Sequence, residues 1–379
     1  MSVKKNIFIP RLVDKDQLNA QNSNARNLIK RWSLKGFEIL TTAYDAPDKQ
    51  VADRDNVTIV KLWRRHAWYI HLFLLYFRNY DLIFYPGVSK ADAFGMFWRR
   101  RFGFSCPVIA TLEGLVGGPD REKEYSEWAE HPVYCQRVSA DAIKRVDDLL
   151  SSADHIIAIS PFLAAMGKLR YGDKFSVIPL GLDTGIFYPS TAYRKRSRLR
   201  VVSAGSFHKG KRTDLFLELA KQHPAVDFVW FGEGGDQFDV LLNSMTDENI
   251  KNLALPGAML PSNLANEFRN SDLFVMPSRT EGVPKVTQEA AACGLPIVNF
   301  GYYEAPSVLD GKNGYVVWSD EEFFCKVREL LQSPSQMKEM GNEGARMAND
   351  WDWDVVAQQW SDQVIKIVPA GPDSNVRVS

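Results

Sequence analysis

PSRTEGVPKVTQEAAACGLPIVNF, residues Pro277 to Phe300, is the stretch whose reading decides the fold. A strand-like run, DLFVMPS (Asp272 to Ser278), leads into it, and another, LPIVNF (Leu295 to Phe300), closes it. Between them lie a loop with Glu281 and a short helix with Glu289. Pro284 suits the first helical position, where its missing N–H would be unpaired anyway. Gly294 suits the residue just past the helix end, where a left-handed backbone is cheap only for glycine. The unit is strand, tight polar turn, helix, strand. In an open α/β sheet such a turn sits at the carboxyl end of the strand, where ligands bind. The helix start offers unpaired N–H groups and partial positive charge, which favours an anion such as phosphate.

Working outward, the same alternation runs through the chain. Upstream, NIFIP (Asn6 to Pro10), FEILTTAY (Phe37 to Tyr44), VTIVKLW (Val57 to Trp63), DLIFYPG (Asp81 to Gly87), PVIATLEG (Pro107 to Gly114), HIIAIS (His155 to Ser160) and FSVIPLGLD (Phe175 to Asp183) read as strands. Helical stretches separate most of them, at Ala20–Leu34, Trp68–Arg78, Ala91–Phe102, Ala140–Leu150 and Pro161–Tyr171. Asp45 to Asp55 and the acidic, aromatic Gly117 to Pro132 read as loops. Phe187 to Arg198 is polar and basic and reads as a linker. The pattern then restarts with RVVSAGS (Arg200 to Ser206) and DFVWFGEG (Asp227 to Gly234), and ends in a long helix, Trp351 to Val368. Strands alternating with helices imply parallel sheets covered on both faces. The expectation is an α/β protein of two Rossmann-like, doubly wound domains, residues 1–190 and 199–350. Helix 351–368 belongs with the first domain, and 369–379 forms a disordered tail. A cleft between the two sets of strand ends is the default active site.

Length and composition agree. A chain of 379 residues is long for one core. Its 46 basic and 46 acidic side chains balance, which argues against a nucleic-acid binder. The four cysteines, Cys106, Cys135, Cys293 and Cys325, show no metal or redox spacing and read as reduced, mostly buried thiols. Too few apolar residues follow Lys4 and Lys5 before Pro10 for a signal peptide, and the longest apolar-rich run, Tyr69 to Phe77, is about half the ~20 residues a membrane span requires.

Four segments now point to a family. They are Glu281 and Glu289 with the following AAACGLPIV, VIPLGLDTGIFYP (Val177 to Pro189), AGSFHKGKRTDLFLELA (Ala204 to Ala220) and WDWDVVAQQW (Trp351 to Trp360). In this order they resemble the GT-B glycosyltransferases, specifically the large retaining group classed as family 4. The likeness covers most of Val177 to Val368, while the first 130 residues match only in layout. The resemblance implies transfer of a sugar from a nucleotide-diphosphate sugar to an acceptor hydroxyl, with retention at the anomeric carbon. Surface polysaccharide, lipopolysaccharide or glycolipid assembly is the implied setting. A nucleotide-sugar epimerase or hydrolase, or a non-catalytic nucleotide-sugar-binding partner subunit, is the alternative.

The chemistry requires the leaving diphosphate neutralised and the sugar and ribose hydroxyls held. Glu289 lies about 8 Å along the helix from its start, about the offset between a diphosphate and its ribose. The resemblance implies that Glu289 holds the ribose and that Glu281 contacts the donor sugar. It also implies that the N–H groups of Gly282, Val283, Lys285 and Val286 line the donor. Lys211 falls where the family has a phosphate-binding lysine. Ser206 stands in place of the family's usual arginine, so Lys209 or Arg212 is expected to supply the second positive charge. Gly232, in the turn FGEGG, is expected to allow close approach of the nucleotide, and LPGAML (Leu255 to Leu260) to face the base. Glu113 ends a strand where many relatives carry histidine. It is expected to bind donor sugar or acceptor, and is the candidate base toward the acceptor hydroxyl. An amide cluster, Asn19, Gln21, Asn22 and Asn24, suits sugar hydroxyls, with Asn22 and Asn24 the main acceptor candidates.

Two basic-aromatic runs remain, KLWRRHAWYIHLFLLYF (Lys61 to Phe77) and MFWRRRFGF (Met96 to Phe104). They read as buried helices with basic ends, in preference to helices docked on anionic lipid. The expected partners are a nucleotide sugar and a carbohydrate or lipid-linked carbohydrate acceptor, without metal or other cofactor and without nucleic acid. The expected location is cytoplasmic, with peripheral contact at the inner face of a membrane as the lesser option.

Overall fold

A computed structural model describes residues 4–15, 20–32, 37–87, 89–102, 106–113, 140–190, 197–279, 281 and 283–368. Asn19, Gly282, Cys135, the loop read at 117–132 and the tail 369–379 lie outside the described residues. The chain divides into two compact units. The first takes the described residues up to Gly181 and those from Trp353 on, and the second takes Leu182–Asp352.

The first unit is a seven-stranded sheet of β1 (Lys5–Leu12), β2 (Phe37–Ala43), β3 (Val57–Lys61), β4 (Leu82–Phe84), β5 (Val108–Leu112), β6 (His155–Ala158) and β7 (Phe175–Val177). The order is β3-β2-β1-β4-β5-β6-β7, and every pair is parallel. The consecutive residues Ile7, Phe8 and Ile9 are all fully buried, as a strand covered on both faces requires. Helices α1 (Ala20–Arg31), α2 (Lys49–Ala52), α3 (Ala67–Phe77), α4 (Lys90–Arg101), α5 (Ala140–Ser152) and α6 (Pro161–Tyr171) connect the strands. Ser160 caps α6 by accepting from the Leu163 N–H, and Pro161 occupies its first turn.

The second unit is a six-stranded parallel sheet of β8 (Arg200–Ala204), β9 (Asp227–Phe231), β10 (Leu253–Gly257), β11 (Leu273–Met276), β12 (Ile297–Phe300) and β13 (Gly314–Val317), in the order β10-β9-β8-β11-β12-β13. Its helices are α7 (Thr213–Gln222), α8 (Phe238–Asp247), α9 (Pro261–Arg269), α10 (Lys285–Ala292), α11 (Asp320–Leu331) and α12 (Pro334–Met347). A core of aromatic rings fills it, with Phe216, Phe228 and Trp230 meeting edge to face. Each sheet is an open, doubly wound Rossmann-like α/β sheet.

The last helix, α13 (Trp353–Ile367), returns to the first unit. Val356, Trp360 and Val364 are buried, and the Trp360 ring meets Phe84 edge to face at 5.3 Å. Trp353 lies on Gly181, where an added Cβ would come within 2.2 Å of its ring. Asp354 accepts an ion pair from Arg31 of α1 at 3.1 Å.

Several local readings are corrected. Pro284 is the cap residue of α10 (φ −74°, ψ 99°), so the helix begins at Lys285. Gly294 does take the left-handed conformation, φ +81°. Phe187, read as linker, is buried in the second core. The loop read at Asp45–Asp55 contains α2, whose cap is Asp48. LPGAML is partly strand β10, and the terminal helix starts after a 3-10 turn, Ala348–Trp351. Among the described residues Cys106, Cys293 and Cys325 form no disulfide, but Cys325 is exposed rather than buried. Most consequentially, α3 and α4 are not buried helices, since Trp68, Tyr69, Phe73, Phe94 and Phe97 are exposed.

Candidate active site

In the second unit the strand order turns back between the neighbours β8 and β11. Ligands of open α/β sheets bind outside the carboxyl ends of the strands at such a point. Two loops emerge there, Gly205 to Arg212 after β8 and Pro277 to Pro284 after β11. They are tied by a hydrogen bond from the Arg279 N–H to the Gly210 carbonyl, 2.9 Å. Lys211 closes a 3-10 turn, Lys209–Lys211, and its Nζ donates to Glu281 Oε1 at 2.6 Å. Both side chains are mostly buried but reach solvent. The sequence-predicted lysine and loop glutamate are thus brought together across 70 positions of chain.

Beside this pair stands the start of α10. Lys285 and Val286 are its first residues, and the first N–H groups of a helix have no partner within it. Thr287 pins the cap, because its hydroxyl donates to the Pro284 carbonyl at 2.6 Å and pairs with the Ser307 hydroxyl at 2.7 Å. Val283 is half-buried on the way into the helix. Glu289 sits one turn further along. Burial pushes its carboxyl up to about 7, with Lys285 opposing. Tyr303, absent from the sequence reading, is buried near Glu281. Burial first, then the Glu281 carboxylate, raises its phenol well above the usual value. Ser278 Oγ is buried at the end of β11 and has no hydrogen-bond partner among the described residues. Neither residue carried a local signal beyond lying near the motif.

The remaining donor-side candidates take varied places. Ser206 is half-buried, and its carbonyl accepts from the His208 N–H at 3.0 Å. Lys209 is exposed on the 3-10 turn. Arg212 is committed elsewhere, to Asp214 and to Asp320 at 2.9 Å, joining the starts of α7 and α11. Those two carboxylates outweigh burial and hold its guanidinium above its usual pKa. Gly232 is needed for a reason different from the expected one. At φ +156°, a Cβ there would lie 1.9 Å from the Gly205 carbonyl oxygen, so the glycine lets the loops after β8 and β9 meet.

In the first unit the equivalent turning point lies between β1 and β4. Arg11 ties it together by donating to the carbonyls of Tyr85 at 3.1 Å and Pro86 at 3.0 Å, and its guanidinium lies over the Tyr85 ring. Burial lowers the Arg11 pKa, and the carboxylates of Glu113 and Asp92 oppose that. Tyr85 is a non-glycine residue at φ +57°, a conformation that side chains resist and that tends to occur at functional sites. Glu113 follows β5 and lines a small cavity with Asn24, Tyr85, Trp353 and Trp360. The structure therefore joins two acceptor-side candidates, Glu113 and Asn24. Asn22 has a structural tie instead, its Oδ1 accepting from the Leu12 N–H at 3.3 Å.

Residues 192–347 match the family model described as Glycosyl transferases group 1. The second unit is thus similar to the domains of that family. Among curated relatives, the D-inositol 3-phosphate glycosyltransferase of Segniliparus rotundus is 29% identical over 230 residues, 55% of this chain and 51% of the relative. The alpha-galactosylglucosyldiacylglycerol synthase of Streptococcus pneumoniae is 25% identical over 312 residues, 76% of this chain and 75% of the relative. The chain therefore matches about half the length of the first and three quarters of the second. Among solved structures, sucrose-phosphate synthase from Thermosynechococcus elongatus superposes with a TM-score of 0.75 at 17% identity, over 96% of this chain and 99% of that one. The Anabaena HepE protein in complex with UDP and glucose gives 0.70 at 15% identity, over 95% and 99%. These two structural likenesses show the GT-B fold. The group 1 match lies on the unit that holds Lys211, Glu281 and Glu289.

Proposed function

We propose that the chain is a retaining glycosyltransferase that moves a sugar from a nucleotide-diphosphate sugar to an acceptor hydroxyl. The observation that carries this reading is the Lys211–Glu281 pair beside the open start of α10, at the turning point of the second sheet. Lys211 and the N–H groups of Lys285 and Val286 neutralise the leaving diphosphate, and the reaction proceeds without a metal ion. Lys209 supplies the second positive charge, since Arg212 is held by two carboxylates. Glu281 contacts the donor sugar and Glu289 the ribose hydroxyls. Glu113 and Asn24 receive the acceptor in the first unit, with the leaving phosphate taking the acceptor proton, so Glu113 binds rather than acting as base.

The acceptor is a carbohydrate or a lipid-linked carbohydrate, and the setting is cytoplasmic assembly of surface polysaccharide, lipopolysaccharide or glycolipid. The name of the Streptococcus relative, a glycolipid synthase, supports the lipid-linked option. The test is release of free nucleotide from a panel of UDP- and GDP-sugars, measured with and without candidate acceptors. Transfer predicts release that depends on the acceptor. Equal release without acceptor indicates a hydrolase, and donor binding without any turnover indicates a non-catalytic binder.

A further inference from the structure

Helix α3, AWYIHLFLLYF, is apolar on nearly every side, a composition that ordinarily belongs inside a protein. It packs against α4, yet the pair leaves large rings in solvent. Trp63, Trp68, Tyr69, Phe94, Phe97 and Phe102 are between 44% and 66% exposed. The rings are continuous. Tyr69 meets Trp68 at 5.3 Å, Trp68 meets Phe94 at 5.9 Å, Phe94 meets Trp98 at 6.0 Å, and Trp98 stacks on Phe102 at 5.4 Å. A single aromatic surface therefore crosses from one helix to the other. Scattered exposed apolar residues need no explanation, whereas a contiguous patch marks an interaction surface.

The charge around this surface selects its partner. Residues 61–102 hold eight Lys and Arg against two acids, Asp81 and Asp92, in a chain that is neutral overall. Asp92 is buried and accepts from the Ser89 hydroxyl, Arg64 lies 4.0 Å from Asp45 and Arg100 donates to the Ser152 carbonyl, which leaves Lys61, Arg65, Lys90 and Arg101 as the exposed charges of the surface. A two-fold contact between copies through this patch would set basic side chains against basic side chains. An anionic bilayer meets both features, since Trp, Tyr and Phe rings settle at headgroup depth while Arg and Lys reach the lipid phosphates. We infer that the α3–α4 face is a docking surface for anionic lipid. This goes beyond the transfer reading and needs neither donor nor acceptor.

The experiment is co-sedimentation of the full chain with vesicles of phosphatidylcholine alone or mixed with phosphatidylglycerol, at low and high salt. Binding is expected on the anionic vesicles, weaker at high salt, and absent on phosphatidylcholine. Arg65→Ala with Arg101→Ala should weaken binding by roughly thirtyfold, at about 1 kcal/mol per basic residue near the surface. Phe97→Ser with Phe102→Ser should remove it, with melting temperature unchanged. Quenching of wild-type tryptophan fluorescence by brominated lipid checks the same face without a variant. Wild-type protein left in the supernatant, unquenched, overturns the inference, as does equal binding by the variants. So does a wild-type dimer that the phenylalanine variant converts to monomer without any lipid binding.

Discussion

Lys211 and Glu281 form an ion pair that a diphosphate is built to disturb. The pair is mostly buried, so the cost of desolvating both charges offsets much of their attraction. Its placement matters more than its strength, because the pair holds the ammonium at the start of α10. Lys211→Ala should lower turnover by about a hundred- to a thousandfold, the range for removing one donor to developing charge. Initial rates of nucleotide release check this, and near-normal rates would end the assigned role. Glu289 yields a pH prediction. Its folded-state pKa, about 7, lies above the ordinary value of 4.5. Between those values the folded protein keeps a proton that the unfolded chain has released. The stability linked to this group is therefore full below pH 4.5 and falls as the pH rises through 7. Glu289→Gln should flatten that fall, read by urea unfolding at mildly acid and mildly alkaline pH. If ribose hydroxyls donate to the ionised carboxylate, wild-type nucleotide affinity rises over the same interval and that of the variant does not. At this scale the motif spacing made Glu281, Glu289 and Lys211 visible in the sequence. Their pairing, the burial of Glu289 and the involvement of Tyr303 and Ser278 were not, because each depends on chain that is distant or not patterned.

Elements were legible where apolar runs met turn residues. The strands around Pro277–Phe300 and the cap at Gly294 followed from that pattern. Helix α8 and strand β10 were missed because the polar run after β9 carries no such boundary. Helices α3 and α4 were placed correctly, but their faces were not. An all-round apolar helix reads as buried, and only the fold shows which side has neighbours. Gly232→Ala tests the contact between the loops after β8 and β9. A Cβ at 1.9 Å from the Gly205 oxygen forces those loops apart, at about 1–3 kcal/mol. The expected result is a lower melting temperature together with weaker nucleotide binding, and unchanged values of both would show the contact to be slack. Trp360→Ala tests α13. Removing a buried ring set against Phe84 and Tyr85 should destabilise by about 3–5 kcal/mol. Denaturant unfolding should show the loss in the first unit, to which α13 belongs, and a loss confined to the second would contradict that assignment.

For the molecule as a whole, alternating strands and helices were enough to foresee two doubly wound parallel sheets. The point of division was less legible. Leu182 to Phe187 joins the second unit because the Leu182 N–H donates to the Trp351 carbonyl, the Thr184 hydroxyl binds Asp352, and Phe187 enters the second core. A polar, proline-containing stretch hides such contacts. Fold alone does not decide chemistry, so the central claim rests on the reaction itself. The most direct measurement is proton NMR of the product formed from an α-linked nucleotide sugar and a carbohydrate acceptor, with nucleotide release followed in the same sample. Retaining transfer predicts an α-linked product whose formation matches nucleotide release and slows about a hundredfold or more in Lys211→Ala. A β-linked product, or free sugar released whether or not acceptor is present, would contradict it.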